Sequence, residues 1–189
     1  GVMHIENNYL YQAWGAGFEM QELGRVRAVN YLPTKEWENW GVTARTAQDN
    51  FLKRGGTIER LHIYDTKNLQ QCRDQWSLYL EQKNYGTDSN RIRATHIDVS
   101  ALKNKTVQVL KNDLPGKMFD MILFDNDLLF GLSLNQRMDG AINGFLITEQ
   151  RSIIPLAAAL YARLKSFGFG QNSKYLPPKR CRVDVRWRR

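Results

Sequence analysis

An α/β fold, with a mixed, mostly parallel sheet flanked by helices, is predicted by three observations. Short apolar runs of strand character recur from Arg25 onward, stretches of helical periodicity alternate with them, and both kinds of segment end at turn-forming residues. A parallel return between strands needs a helix-length crossover, so this alternation implies helices laid on a sheet. The 189 residues, 42% hydrophobic and 24% charged, supply one core and not comfortably two.

The first strand is read in Arg25 to Leu32, where Val26 and Ala28 alternate with polar neighbours before Pro33. Thr34 then serves as a helix cap. The following helix carries Trp37, Trp40, Ala44, Ala47 and Phe51 at helical spacing and stops at Gly55 and Gly56. Thr57 to Tyr64 is the second strand, with Asp65 and Thr66 placed to cap a helix marked by Leu69, Cys72, Arg73, Trp76 and Leu80. The helical spacing assigns Trp37, Trp40 and Trp76 to the core. Arg91 to Val99 is the third strand, and an irregular or weakly helical crossover follows up to Leu114-Pro115-Gly116. Met118 to Phe124 is the most apolar strand, and Leu128 to Leu134 returns after Asn126-Asp127, a hairpin turn. Ala141 to Ile147 is a further strand. The last helix starts near Thr148, with Pro155 in its first turns, and its apolar positions run from Ile153 to Leu164 before Gly168. The chain before Arg25 reads as a short helix and a turn, with Gly1 and Val2 resembling an appended remnant. Three segments follow: an N-terminal helical segment (1–23), the α/β domain (24–168) and a basic C-terminal arm (169–189).

Charge is concentrated in that arm. Between Lys174 and Arg189 seven cations face Asp184 alone, a surplus of six within a chain whose net charge is +8. Tyr175 and Trp187 lie among them. Such a segment suits phosphate attraction, and it reads equally well as a solvated tail. No apolar run is long enough for a membrane span and no leader-like start precedes the domain, so the cytoplasm is the expected location, without membrane partners. Cys72 and Cys181 are far apart and form no CxxC pair, which predicts buried or idle thiols.

Several chemistries are excluded by spacing. His4, His62 and His96 form no HxxH, HExxH or HxH pair for a metal, and His62 and His96 are expected as strand histidines with satisfied hydrogen bonds. The Gly15-Ala16-Gly17 run lacks the strand and third glycine of a dinucleotide loop, and Gly55-Gly56 ends a helix where a phosphate loop would begin one. There is no GxSxG elbow and no Walker A loop. Carboxylates at strand ends remain: Asp65, Asp98, Asp120, Asp125 and Asp127. Gathered together they would suit Mg²⁺, although capping and turn formation explain Asp65 and Asp127.

The stretch from Phe119 to Asn135, FDMILFDNDLLFGLSLN, resembles part of a phospholipase D superfamily half, in which a HxKxxxxD motif runs into a strand, a turn and a GSxN-like stretch. Asp125 matches the aspartate, and Ser133 and Asn135 match the serine and asparagine that follow it, with Gly131 one place from the usual glycine. The motif's histidine falls on Met118 and its lysine on Asp120. The resemblance covers roughly residues 24 to 168 and implies a phospholipase D-like half, present as a single copy. It also implies a degenerate pseudo-active site of Met118, Asp120, Asp125, Ser133 and Asn135. The reaction of that family needs an imidazole nucleophile and a cation for the phosphoryl group; methionine and aspartate supply neither. The domain then resembles the degenerate single copies attached to bacterial regulatory proteins.

The function expected is a non-catalytic regulatory, ligand-sensing or interaction domain, with no cofactor and no resident metal. Its partners would be a nucleic acid bound through Arg180, Arg182, Arg186, Trp187, Arg188 and Arg189, a small-molecule ligand, and a second copy of the chain in a homodimer. The alternative is a metal-dependent enzyme acting on a phosphate-containing or nucleotide substrate through Asp65, Asp98, Asp120 and Asp125.

Overall fold

The computed structural model describes residues 2–5, 15–19, 24–31, 41–86, 92–101, 121–124, 128–134, 142–148, 151–170 and 173–182. Among the described residues seven strands form one sheet: β1 (Val2–Ile5), β2 (Arg25–Asn30), β3 (Thr57–Tyr64), β4 (Arg93–Asp98), β5 (Met121–Phe124), β6 (Leu128–Leu134) and β7 (Ile142–Thr148). Their spatial order is β1-β7-β6-β5-β2-β3-β4. The parallel part is the β2-β3-β4 unit, whose crossovers run through helices α1 (Gly41–Lys53) and α2 (Leu69–Lys83). The other half is antiparallel, because β5, β6 and β7 follow one another through connections too short for a crossover. Helix α3 (Ile153–Ser166) closes the fold.

Alternation along the strands divides the sheet into two faces. Val29, Leu61, Ile63, Ile97, Met121 and Leu123 point to one and are covered by Ile154, Ala157, Tyr161 and Leu164 of α3. The opposite face carries Val26, Ala28, Ile58, Arg60, His62, Tyr64, Ala94, His96, Ile122 and Phe124, all buried, under α1, α2 and the helical residues 15–19. Trp76 lies in this core as its spacing predicts, whereas Trp37 and Trp40 lie outside the described residues. Phe18 packs edge-on against Phe124 and is tilted against Phe51.

Helix ends follow local chemistry. Gly55, with φ of 96°, ends α1 in a left-handed conformation, and Gly56 donates back to the Phe51 carbonyl, closing a Schellman motif. Gly17 of the Gly-Ala-Gly run has a packing reason instead: a Cβ there would sit 2.6 Å from the Phe124 ring. The cap of α2 differs from expectation. Asn68 accepts from the Gln71 amide, while Asp65 accepts from the Lys67 amide in the turn just before.

The N-terminal reading is corrected at its start. Residues 2–5, expected to lie in or before a short helix, form the edge strand β1, with Val2 opposite Thr148 and Met3 opposite Ile147. Four residues are too few to announce a strand by periodicity; an exposed edge of β7 to pair with decides it.

Candidate functional site

The C-terminal ends of β2, β3 and β4 and the start of β5 share one end of the sheet, since Met121 pairs with Val29. Ligand sites of α/β sheets favour this end, where loops can vary without disturbing the strands. Here Gln71 of α2 joins the strand ends through its amide. Its Nε2 donates to the Tyr31 and Ile63 carbonyls, each at 2.9 Å, and its Oε1 accepts from the Asp65 amide at 2.8 Å.

Around this joint lies a polar cluster. The Ser100 hydroxyl is shared between Asp98 Oδ1 at 2.8 Å and Asp65 Oδ1 at 3.2 Å, and it receives the Thr66 amide at 2.9 Å and contacts the Thr66 hydroxyl. The second Asp98 oxygen accepts from the Tyr175 hydroxyl at 2.7 Å. Burial and then the bond to Asp98 push the Tyr175 phenol up to about 12. Both carboxylates are thus occupied by protein donors. Asp65 and Asp98, two of the four carboxylates weighed for a metal, are brought together, while Asp120 and Asp125 lie outside the described residues. Among the described residues no group of three or more histidine, cysteine or acidic side chains is arranged to hold a metal.

Tyr175 belongs to a strap formed by the beginning of the basic segment. Phe169 bridges the outer edge of β4, donating to the His96 carbonyl at 2.7 Å and accepting from the His96 amide at 3.1 Å. The Tyr175 ring stacks on Phe169, with centroids 4.1 Å apart. A 3-10 turn (Lys179–Cys181) then sits against α2, where Arg73 Nε donates to the Arg180 carbonyl at 2.8 Å and Arg180 reaches the Thr66 carbonyl at 3.4 Å. The Cys181 side chain is buried in a cluster with Tyr64, Cys72, Trp76 and Tyr79. Lys179, Arg180 and Arg182 remain exposed. Of the cations expected to meet nucleic acid, Arg180 and Arg182 are therefore placed beside the sheet end, and Arg186, Arg188 and Arg189, with Trp187, lie outside the described residues.

The positions expected from the resemblance are placed less fully. Met118 and Asp120 precede β5, Asp125 follows it, and Asn135 follows β6; all four lie outside the described residues. Ser133 stands on β6 opposite Gly144, next to an irregularity in the ladder at Ser133 and Leu134. Because Gly131 pairs with Met121, Ser133 lies toward the same end of the sheet as Asp98.

The three histidines are accounted for by position. His62 and His96 are 0% and 1% exposed on the α2 face. Burial lowers them to about 3 and about 4, assisted by Arg60 beside His62 and by Lys83 near His96. His96 fits the expectation of a satisfied strand histidine, with Nδ1 2.9 Å from the Tyr64 hydroxyl. Neither ring nitrogen of His62 is in full hydrogen-bond geometry, although the Gln75 side chain beside it opposes the lowering. His4 belongs to β1, which is separated from β5 by β7 and β6, a span of roughly 14 Å at strand spacing.

The fold is phospholipase D-like. The chain is similar to NucT from Helicobacter pylori, with 12% identity and a TM-score of 0.51 over 90% of this chain and 98% of that one. It is similar to a phospholipase D family member, Nuc from Salmonella typhimurium, with 13% identity and a TM-score of 0.53 over 92% and 97%. TrmBL2, an archaeal chromatin protein with a novel mode of DNA binding, matches with 8% identity and a TM-score of 0.54, over 89% of this chain and 52% of its own. No family model and no curated protein sequence matches the chain. Among the described residues no helix is long and apolar enough to cross a membrane.

Sequence reasoning missed Gln71, Ser100 and the docking of Tyr175 and Cys181. None carries a local signal, since each acts through a partner far away in the chain.

Proposed function

We propose that this chain is a non-catalytic phospholipase D-like domain, a regulatory, ligand-sensing or interaction module that meets nucleic acid through its basic C-terminal segment. The observation that carries the first half is the fate of the histidines. The family reaction needs an imidazole at the motif position preceding β5; the sequence has methionine there, and His62 and His96 are buried neutral within other strands. Met118, Asp120, Asp125, Ser133 and Asn135 then form a former catalytic end recast as a binding surface for a small ligand or a partner, in keeping with a degenerate single copy that pairs as a homodimer.

The second half is supported by the charge surplus between Lys174 and Arg189, by the placement of Arg180 and Arg182 beside the sheet end, and by the likeness in fold to a DNA-binding chromatin protein. The contacts assigned are Arg180, Arg182, Arg186, Arg188 and Arg189 to phosphates and Trp187 to a base. The test compares the full chain with one ending at Arg182, a cut that spares Tyr175 and Cys181. Fluorescence anisotropy with short duplex DNA and single-stranded RNA is read across a salt series. The intact chain is expected to bind with steep salt dependence, and the shortened chain with a log-log slope shallower by about 2 to 3, one unit for each lost phosphate contact. No binding by the intact chain at low salt would remove the nucleic-acid role. Metal-independent hydrolysis of a phosphodiester by the pure protein would overturn the non-catalytic one.

A further inference from the structure

The chain contains two cysteines, 109 positions apart, and the fold brings both into one buried cluster. Each is fully buried and free, and both pack in the cluster of Tyr64, Trp76 and Tyr79. The neighbouring residues hold the two segments together, with Arg73 Nε donating to the Arg180 carbonyl at 2.8 Å and the Cys181 amide donating to Pro178 at 2.8 Å within the 3-10 turn. Two thiols held in one buried cluster between a helix and the base of a basic arm suit a covalent clamp.

We propose that Cys72 and Cys181 form a reversible intramolecular disulfide that fastens the start of the basic arm to α2, with a low-molecular-weight disulfide such as oxidised glutathione as the oxidant. The turn carrying Cys181 is short and bears the exposed Lys179 and Arg180, so it is the element that opens. The Cys181 thiolate attacks one sulfur of glutathione disulfide, forming a protein–glutathione bond and releasing one glutathione thiolate. When the turn closes, Cys72 attacks the Cys181 sulfur and expels the second glutathione. Two protein thiols are oxidised, one small disulfide is reduced to two thiols, and the two protons pass to the released glutathiones. Burial raises the Cys72 thiol well above its ordinary value, which keeps the closed reduced form inert and makes opening of the turn the controlling step.

The bond itself is independent of the nucleic-acid reading; its effect on binding rests on that reading. The full chain is incubated with oxidised glutathione, alkylated under denaturing conditions, and examined by intact mass and peptide mapping. The expected product has lost two hydrogens, takes up no alkylating agent, and yields one cross-linked peptide pair containing Cys72 and Cys181. Its thermal midpoint rises by roughly 10 °C, since a long loop is closed in the unfolded chain. The Cys72→Ser variant, checked for folding by circular dichroism, is expected to stop at a glutathione adduct on Cys181. Two alkylated cysteines, a lasting adduct on the wild-type chain, only intermolecular dimers, or a disulfide without a rise in the midpoint would each overturn the clamp. Oxidised and reduced forms are then compared with duplex DNA across a salt series. The oxidised form is expected to have a slope shallower by about one, because the disulfide fixes Arg180 at the Thr66 contact that opening of the reduced turn releases. Equal slopes for two binding forms overturn the regulatory effect, whereas absence of binding by both overturns the nucleic-acid reading and leaves the disulfide result standing.

Discussion

Both faces of the sheet bury apolar side chains, but they differ in how much polar material they bury with them. Under α3 the contacts are mostly aliphatic, formed by Val29, Leu61, Ile63, Ile97 and Leu123, with two buried charged groups: Arg27, 5.9 Å over the Tyr161 ring, and Glu59, which meets Lys165 at 3.1 Å and the Tyr161 hydroxyl at 3.4 Å. Under α1 and α2 the buried layer holds Arg60, His62, His96, Gln48, Gln75 and Gln82 among Tyr64, Trp76 and Tyr79. Arg60 donates there to Gln48 at 2.5 Å and to Asn30 at 3.3 Å, His62 lies beside the Gln75 side chain, and both polar atoms of the Gln82 side chain have no hydrogen-bond partner. An apolar face gains stability from every buried methylene, whereas a buried polar group at best recovers what it lost on leaving water. The α3 face therefore gains more per buried side chain, and the α2 face carries the polar joint and the docking strap alongside its own apolar contacts.

The largest expected effect sharpens this contrast. Ile97→Ala, on the α3 face, is expected to lower unfolding free energy by about 2 to 5 kcal/mol, measured by urea denaturation. A loss below about 1 kcal/mol would show that this face does not gain more per buried side chain.

Acid should act through the other face. His62 and His96 have folded values of about 3 and about 4, below the ordinary 6.5. Their contribution is complete above pH 6.5 and is lost as pH falls toward those values, because only the unfolded chain takes up the protons. Stability should drop by up to about 1.4 kcal/mol per pH unit for each histidine below 6.5. The check is a series of urea midpoints from pH 7.5 to 5, and His96→Gln should flatten the slope. A wild-type profile that stays level between pH 6.5 and 5 would break the comparison.

The smallest effect is the most diagnostic. Gln82 is fully buried with its amide unpartnered, so Gln82→Leu should leave stability within about 0.5 kcal/mol of the parent or raise it. A thermal midpoint lowered by more than a few degrees would mean that the polar layer is self-satisfied and stabilising.

Much of the architecture was legible in order. Strands at 57–64 and 128–134 emerge at their expected limits, and the helix stop at Gly55 and Gly56 is as read, because apolar period and turn chemistry act within a few residues. The phospholipase D-like likeness read from Phe119 to Asn135 agrees with the fold that the solved structures share. Legibility failed where a partner lies far off. β1 needs the free edge of β7, Asn68 replaces Asp65 and Thr66 as the cap because Asp65 is occupied with the turn, and Ser100 gains its role only between two strand ends.

By itself the sequence determined the alternation of strands and helices, the absence of any HxK pair, and the concentration of positive charge near the C-terminus. These are properties of neighbouring residues, and period, residue type and charge are read along the chain. Only the tertiary structure decided which sheet face buries more polar groups, that Tyr175 and Arg180 are strapped to the strand ends, and that Cys72 and Cys181 enter one buried cluster. Those relations arise from parallel crossovers that bring distant segments side by side, and no local pattern records a contact made across such a distance.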